Sequence, residues 1–201
     1  MKKILIIMAI MTISLTGFSQ GEKPDGYTLV QNYWLRTEGA QSQTLYDFNM
    51  FMTGKLFGSK KFSFTGFFLS EKSWFEQLVG VAYTPNNWLS IGLSGGIENN
   101  PALYRLGASL WLGKGKMSWL TCLEKGDGSQ NYWYKSTLAV ETAKHFTTGV
   151  LVQRFAGLGP YFEYHIASRD NPNLRLAPWL APLYDLETGT GRVMAGFDFK
   201  F

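Results

Sequence analysis

The chain has 201 residues, 19 basic against 15 acidic, with 22 glycines, a 16% aromatic fraction and a single cysteine. No block of like charge stands out, which argues against nucleic acid as a partner, and Cys122 alone excludes an intrachain disulfide. Beyond the first twenty residues no segment approaches 18 consecutive apolar residues, so membrane-spanning helices are excluded.

The first nineteen residues read as a separate module. Lys2 and Lys3 form a short positive region, and Ile4 to Leu15 holds only apolar residues besides Thr12 and Ser14. Gly17 and Ser19 supply the small residues that signal peptidase accepts, which places a cut between Ser19 and Gln20. An uncleaved anchor helix is the alternative, but the apolar run is short for a bilayer. No cysteine lies near the cut, so a lipid-modified N-terminus is not expected. Without Lys2 and Lys3 the mature segment 20–201 carries 17 basic against 15 acidic residues, a net charge of +2. It shows no second domain boundary, linker or long repeat.

Through this segment runs an alternation with a period of two, the signature of strands with two unlike faces. Tyr46, Phe48, Met50 and Met52 oppose Asp47, Asn49, Phe51, Thr53 and Lys55. Phe62, Phe64, Gly66 and Phe68 oppose Ser63 and Thr65. Leu89, Ile91, Leu93, Gly95 and Ile97 oppose Ser90, Gly92, Ser94 and Gly96. Tyr104, Leu106, Ala108, Leu110 and Leu112 oppose Arg105, Gly107 and Ser109. Tyr132, Tyr134, Ser136, Leu138 and Val140 oppose Lys135, Thr137 and Glu141. Val193, Ala195, Phe197, Phe199 and Phe201 oppose Arg192, Gly196, Asp198 and Lys200.

Two architectures give this pattern. A soluble sandwich or small barrel turns its apolar face inward, whereas a transmembrane barrel turns it to lipid and keeps the polar face inside. Three features favour the second. The strands approach the 9–11 residues that cross a bilayer at a tilt, against about 5–6 in soluble sheets. Trp34, Tyr83, Trp88, Tyr104, Trp119, Tyr132 and Tyr134 lie at strand ends, where amphipathic rings suit the headgroup level, although ordinary core packing also uses aromatics. The chain also ends within a strand.

That last strand, Gly-Phe-Asp-Phe-Lys-Phe with apolar residues alternating back to Val193, resembles the terminal strand of bacterial outer-membrane β-barrel proteins. The resemblance implies that Phe197, Phe199 and Phe201 form the signal read by the barrel-assembly machinery, and that this strand pairs with the first. It names a superfamily and no particular member. The Gly-Phe-Ser-Gln ending of the leader is similar to Bacteroidota signal peptides.

Turn signals divide the segment into strands near 27–37, 45–56, 62–70, 74–84, 88–97, 103–112, 117–124, 131–141, 146–155, 160–167, 174–184 and 191–201. The expected fold is therefore an all-β, antiparallel up-and-down transmembrane barrel of twelve strands, with both termini on the periplasmic side. Pro178 and Pro182 fall in the eleventh segment, where proline cannot donate to a ladder, so ten strands is the alternative.

On this parity the interior carries Arg36, Asp47, Lys55, Arg105, Lys135, Glu141, Glu163, His165, Arg192, Asp198 and Lys200. Charges of both signs in a confined space pair or hydrate. The leading reading is a passive channel for small solutes in the outer membrane, with membrane lipids as its surroundings. A non-conducting structural or interaction barrel is the alternative, because side chains fill the narrower barrels. The outer-membrane lipid hydrolases use a His-x-Ser pair on one strand face. Here His165-Ile166-Ala167-Ser168 sets His and Ser on opposite faces, and His145 has no Ser two residues on, so no catalytic residues are assigned. Two histidines and one cysteine, widely separated, give no metal-ligand spacing. The glycine-rich stretches at Gly113 to Lys116 and Gly126 to Ser129 read as hairpin turns, and no cofactor is expected.

Overall fold

The computed structural model describes residues 26–38, 41–71, 74–99, 104–167 and 175–200, with side chains over 53–70, 74–99, 104–166 and 176–198. The expected leader 1–19, its cut after Ser19, and Phe201 lie outside the described residues.

The described chain is all β. Its strands are β1 (Gly26–Glu38), β2 (Gln41–Lys55), β3 (Phe62–Glu71), β4 (Phe75–Asn86), β5 (Leu89–Glu98) and β6 (Tyr104–Lys114). They continue as β7 (Met117–Gly126), β8 (Tyr132–Ala143), β9 (Phe146–Gln153), β10 (Gly157–Tyr164), β11 (Ile166–Ala167), β12 (Arg175–Asp185) and β13 (Thr190–Lys200). Each lies on one of the twelve segments read from the sequence, with β10 and the two-residue β11 together on the tenth.

From β1 to β10 every strand pairs antiparallel with the next, the up-and-down order that short hairpin turns impose. The β6–β7 turn shows why: Lys114 pairs with Met117, and Gly115 between them takes φ 61°, a conformation that costs glycine little. The last strand, β13, pairs with β1 from Thr28–Lys200 to Arg36–Arg192, setting Phe197 opposite Gln31 and Phe199 opposite Leu29. On its other side β13 pairs with β12, which pairs in turn with β11 and with β10. The pairing thus returns to β10 and leaves the sheet no free long edge among the described strands.

Prolines mark the irregular places. At Pro85 the β4–β5 register shifts between Tyr83 and Asn86, as expected where a residue has no N–H to give the ladder. Pro178 and Pro182 do not break β12, which stays in register with β13 along its whole length.

The two faces of the sheet differ as the alternation requires. Leu93 is 68% exposed and Leu106 59%, and Val81, Leu123, Leu138, Val150, Leu180 and Phe197 share that exposed face. On the opposite face Glu76, Glu98, Arg105, Glu163 and Asp185 are buried. Large apolar groups outside and charges inside is the reverse of a soluble core.

Candidate functional site

The registers bring the expected interior residues to one face. Arg36 lies opposite Arg192, Asp47 opposite Asn32, Asp198 opposite Val30 and Lys200 opposite Thr28. Lys55 pairs with Ser63 and is exposed at its strand end. Lys135 lies between Cys122 and Gln153, and Glu141 pairs with Thr147 and is exposed. Arg105, Glu163, His165 and Arg192 make contacts that define three polar groups.

The largest is centred on Arg105 of β6. Its Nη1 donates to Glu98 Oε2 at 2.8 Å, and its Nε donates to Glu124 Oε2 at 2.8 Å while lying 2.9 Å from Glu76 Oε2. Nη1 also reaches Asn131 Oδ1 at 3.1 Å, and Asn131 Nδ2 donates back to Glu98 Oε1. The guanidinium sits 5.7 Å from the Trp74 ring centroid, within cation–π range. Four adjacent strands, β4 to β7, therefore converge on one cation at the end of the barrel that carries the 127–131 turn. Three carboxylates against one guanidinium leave formal negative charge in excess, and Glu76 Oε1 is buried without a hydrogen-bond partner. Removing Arg105 would strand buried charge, the costly way to break such a group.

The second group lies at the same end. Arg192 Nη2 meets Asp185 Oδ2 at 3.0 Å, and Asp185 Oδ1 accepts from the backbone N–H of Glu187 at 3.0 Å, so one carboxylate ties the β12–β13 turn to the inner wall. The third lies at the opposite end. His165 Nε2 is 2.9 Å from Thr147 Oγ1, His165 Nδ1 is 3.6 Å from Glu163 Oε1, and the Tyr161 hydroxyl donates to Glu163 Oε2 at 2.8 Å. Hydroxyl, imidazole and carboxylate thus stand in series. Thr147 is only 8% exposed. Ser168 lies outside the described residues.

The expectation of a polar interior holds for part of the wall only. Leu151, Ala181 and Met194 have no exposed surface, and with Ala156, Trp179 and Leu183 they form an apolar cluster on the inner side of β9, β12 and β13. Tyr161 packs against it. Across β4 to β6 the same face is instead dominated by small residues, Gly80, Gly92, Ser94, Gly96, Gly107 and Ser109, with Leu78, Ala82 and Trp111 as its apolar members. The physical reason is filling: where opposite walls differ in bulk, one can supply the side chains that occupy the space the other leaves.

Sequence reading named Arg105 but missed its partners Glu76, Glu98, Glu124 and Asn131. Glu98 continues the Ser90–Gly96 parity by one step, so extending that alternation would have found it. Asn131 sits just before β8, in a turn whose return to Arg105 only the folded chain reveals.

No protein-family model matches the chain, and no curated protein matches it. Among solved structures it is similar to the KdgM porin, with a TM-score of 0.51 and 10% identity over 87% of this chain and 99% of that one. It is similar also to the NanC porin, with a TM-score of 0.50 and 8% identity over 86% of this chain and 100% of that one. At such identities the likeness concerns the course of the backbone. What the likeness shows is the fold, an antiparallel up-and-down β-barrel such as those two porins have, here with its large apolar side chains on the outer face.

Proposed function

We propose that the mature protein resides in the outer membrane as a twelve-stranded barrel and lets small solutes pass along its interior. The observation that carries this reading is the outward apolar surface, with Leu93 68% exposed, set against buried inner charges. An apolar belt of that kind is stable against acyl chains and unstable in water. The count of twelve is supported by β12, which pairs along its length despite its prolines, and by β11, which continues β10 along the same edge of β12 in the same register, so that the two make one wall strand. Passage is supported by β8, where Lys135, Thr137 and Ala139 keep partial exposure on the inner face, and by Glu141, which is exposed at its end. The likeness to two proteins titled porins agrees with it. The assembly machinery would read Phe197, Phe199 and Phe201, and the eleven interior residues named from the sequence would set the polarity of the path.

A non-conducting structural barrel is the second reading, favoured by the solvent-tight cluster around Leu151 and Met194. Single-channel recording in planar bilayers separates the two. Discrete conductance steps from the purified mature protein are expected, and a silent bilayer at verified insertion would overturn passage in favour of the packed barrel.

A further inference from the structure

Alternate turns of an up-and-down sheet fall at the same end of it. The β2–β3, β4–β5, β6–β7 and β8–β9 turns therefore share one end, which Gly26 of β1 and Lys200 of β13 also mark. Lys60, Lys61, Lys114, Lys116 and Lys144 lie in or beside these turns, and all are exposed. Residues 56–61, 87–88, 114–116 and 144–145 contain no aspartate or glutamate. The lysines are scattered in the sequence, and the hairpins gather them. On the described strands the carboxylates nearest this end, Glu141, Glu163 and Asp198, stand at inner-facing positions. The opposite end uses its cations on the chain itself. Lys125 Nζ donates to Gly126 O at 2.8 Å and to Gly128 O, while Arg154 Nη1 donates to Gln130 O at 2.8 Å and to Tyr132 O. The turns there carry Asp127 and Glu187 as well.

The β2–β3 turn adds an apolar group to the lysine end. Phe57 is 97% exposed and takes φ 50°, a conformation that is costly for a bulky residue. The bonds that hold the turn do not involve its ring. Ser59 N–H donates to Leu56 O at 2.9 Å, and Ser59 Oγ accepts from the N–H groups of Lys61 and Phe62 at 3.1 and 3.2 Å. A strained backbone thus holds a ring out in solvent beside Lys60 and Lys61. A few residues further along the strands the outer face becomes apolar, with Phe62, Trp88, Met117, Trp119 and Phe146 all exposed. Aromatic rings settle at the headgroup boundary of a bilayer, and cations just beyond them meet its phosphates. A leaflet surrounds the wall, whereas a protein partner covers one patch. The lysines follow the first pattern, being spread over three turns along the arc from β2 to β9.

We propose that this end of the barrel is a docking surface for anionic phospholipid headgroups, with Lys60, Lys61, Lys114, Lys116 and Lys144 on the phosphates and Phe57 set among the headgroups. This rests on the barrel spanning the membrane and is independent of whether it conducts.

The test places the full mature protein in vesicles of equimolar phosphatidylcholine and phosphatidylglycerol, only one of which carries brominated chains. Bromine quenches tryptophan, and Trp88 and Trp119 lie on the exposed outer face near the lysine turns. Brominated phosphatidylglycerol is expected to quench more, with an association constant about threefold or more above that of phosphatidylcholine. The preference is expected to vanish when all five lysines are replaced by glutamine, to survive their replacement by arginine, and to fade at high salt. For the tip, Phe57→Cys in a Cys122→Ser background carries an environment-sensitive dye, whose emission is expected to shift to that of an apolar setting in the same vesicles. Equal quenching by both lipids, or a preference kept by the glutamine variant, would overturn the proposal. Water-like emission from the dye would overturn the placing of Phe57 among the headgroups. Insertion is read separately, from the heat-shifted migration of the folded barrel on gels. A protein that enters no vesicle sinks the spanning reading, and one that inserts without preference sinks this inference alone.

Discussion

The inner walls of β4–β6 and of β12–β13 face one interior with opposite chemistry. The first is lined mostly by glycine and serine, with Leu78, Ala82 and Trp111 among them, and ends in the Arg105 group. The second presents Trp179, Ala181, Leu183 and Met194 with almost no exposed surface. Both walls follow the same rule of alternation, so the difference lies in what each side chain must satisfy. On the small-residue wall stability depends on electrostatic pairing at one end and on close backbone approach along its length. On the apolar wall it depends on filled volume.

Three substitutions sharpen that contrast. Arg105→Leu leaves Glu76, Glu98 and Glu124 buried without their cation and is expected to cost about 3–5 kcal/mol. Urea unfolding in lipid vesicles, followed by tryptophan fluorescence, reads the loss. An unchanged midpoint would mean that the carboxylates are solvated and that the group is no structural unit. On the other wall Leu151→Ala, at a side chain with no exposure, is expected to cost about 3 kcal/mol through lost contacts and a cavity. A near-neutral result would show that water fills that half of the barrel. The smallest effect is expected from Gly96→Ala, whose added Cβ would lie 1.8 Å from Gln77 O. About 1–3 kcal/mol is expected for such overpacking. Its control is Gly95→Ala on the opposite face, where the nearest atom beyond the chain neighbours is Leu106 Cδ2 at 3.5 Å and little change is expected. Equal effects at both positions would dissolve the distinction between faces.

Legibility in the sequence followed the reach of each interaction. The period of two is local, so the strands at Leu89–Glu98 and Tyr104–Lys114 and the faces on which Leu93 and Arg105 lie could be read from neighbouring residues alone. Pro178 and Pro182 pointed to a defect without locating it. Their consequence depends on Pro160, which stands opposite one of them only after β12 has come to lie against β10. The three carboxylates about Arg105 were hidden for a similar reason. Glu76, Glu98 and Glu124 sit on three different strands, and only the combined registers bring them to one guanidinium.

By itself, then, the order of residues determined an antiparallel all-β chain with inverted polarity, because hairpin turns and side-chain alternation act over a few residues. The folded sheet decided which charges meet, which wall is greasy and where the ladder lacks donors. These depend on contacts between strands far apart in the chain, and their register is set by every intervening turn and bulge together.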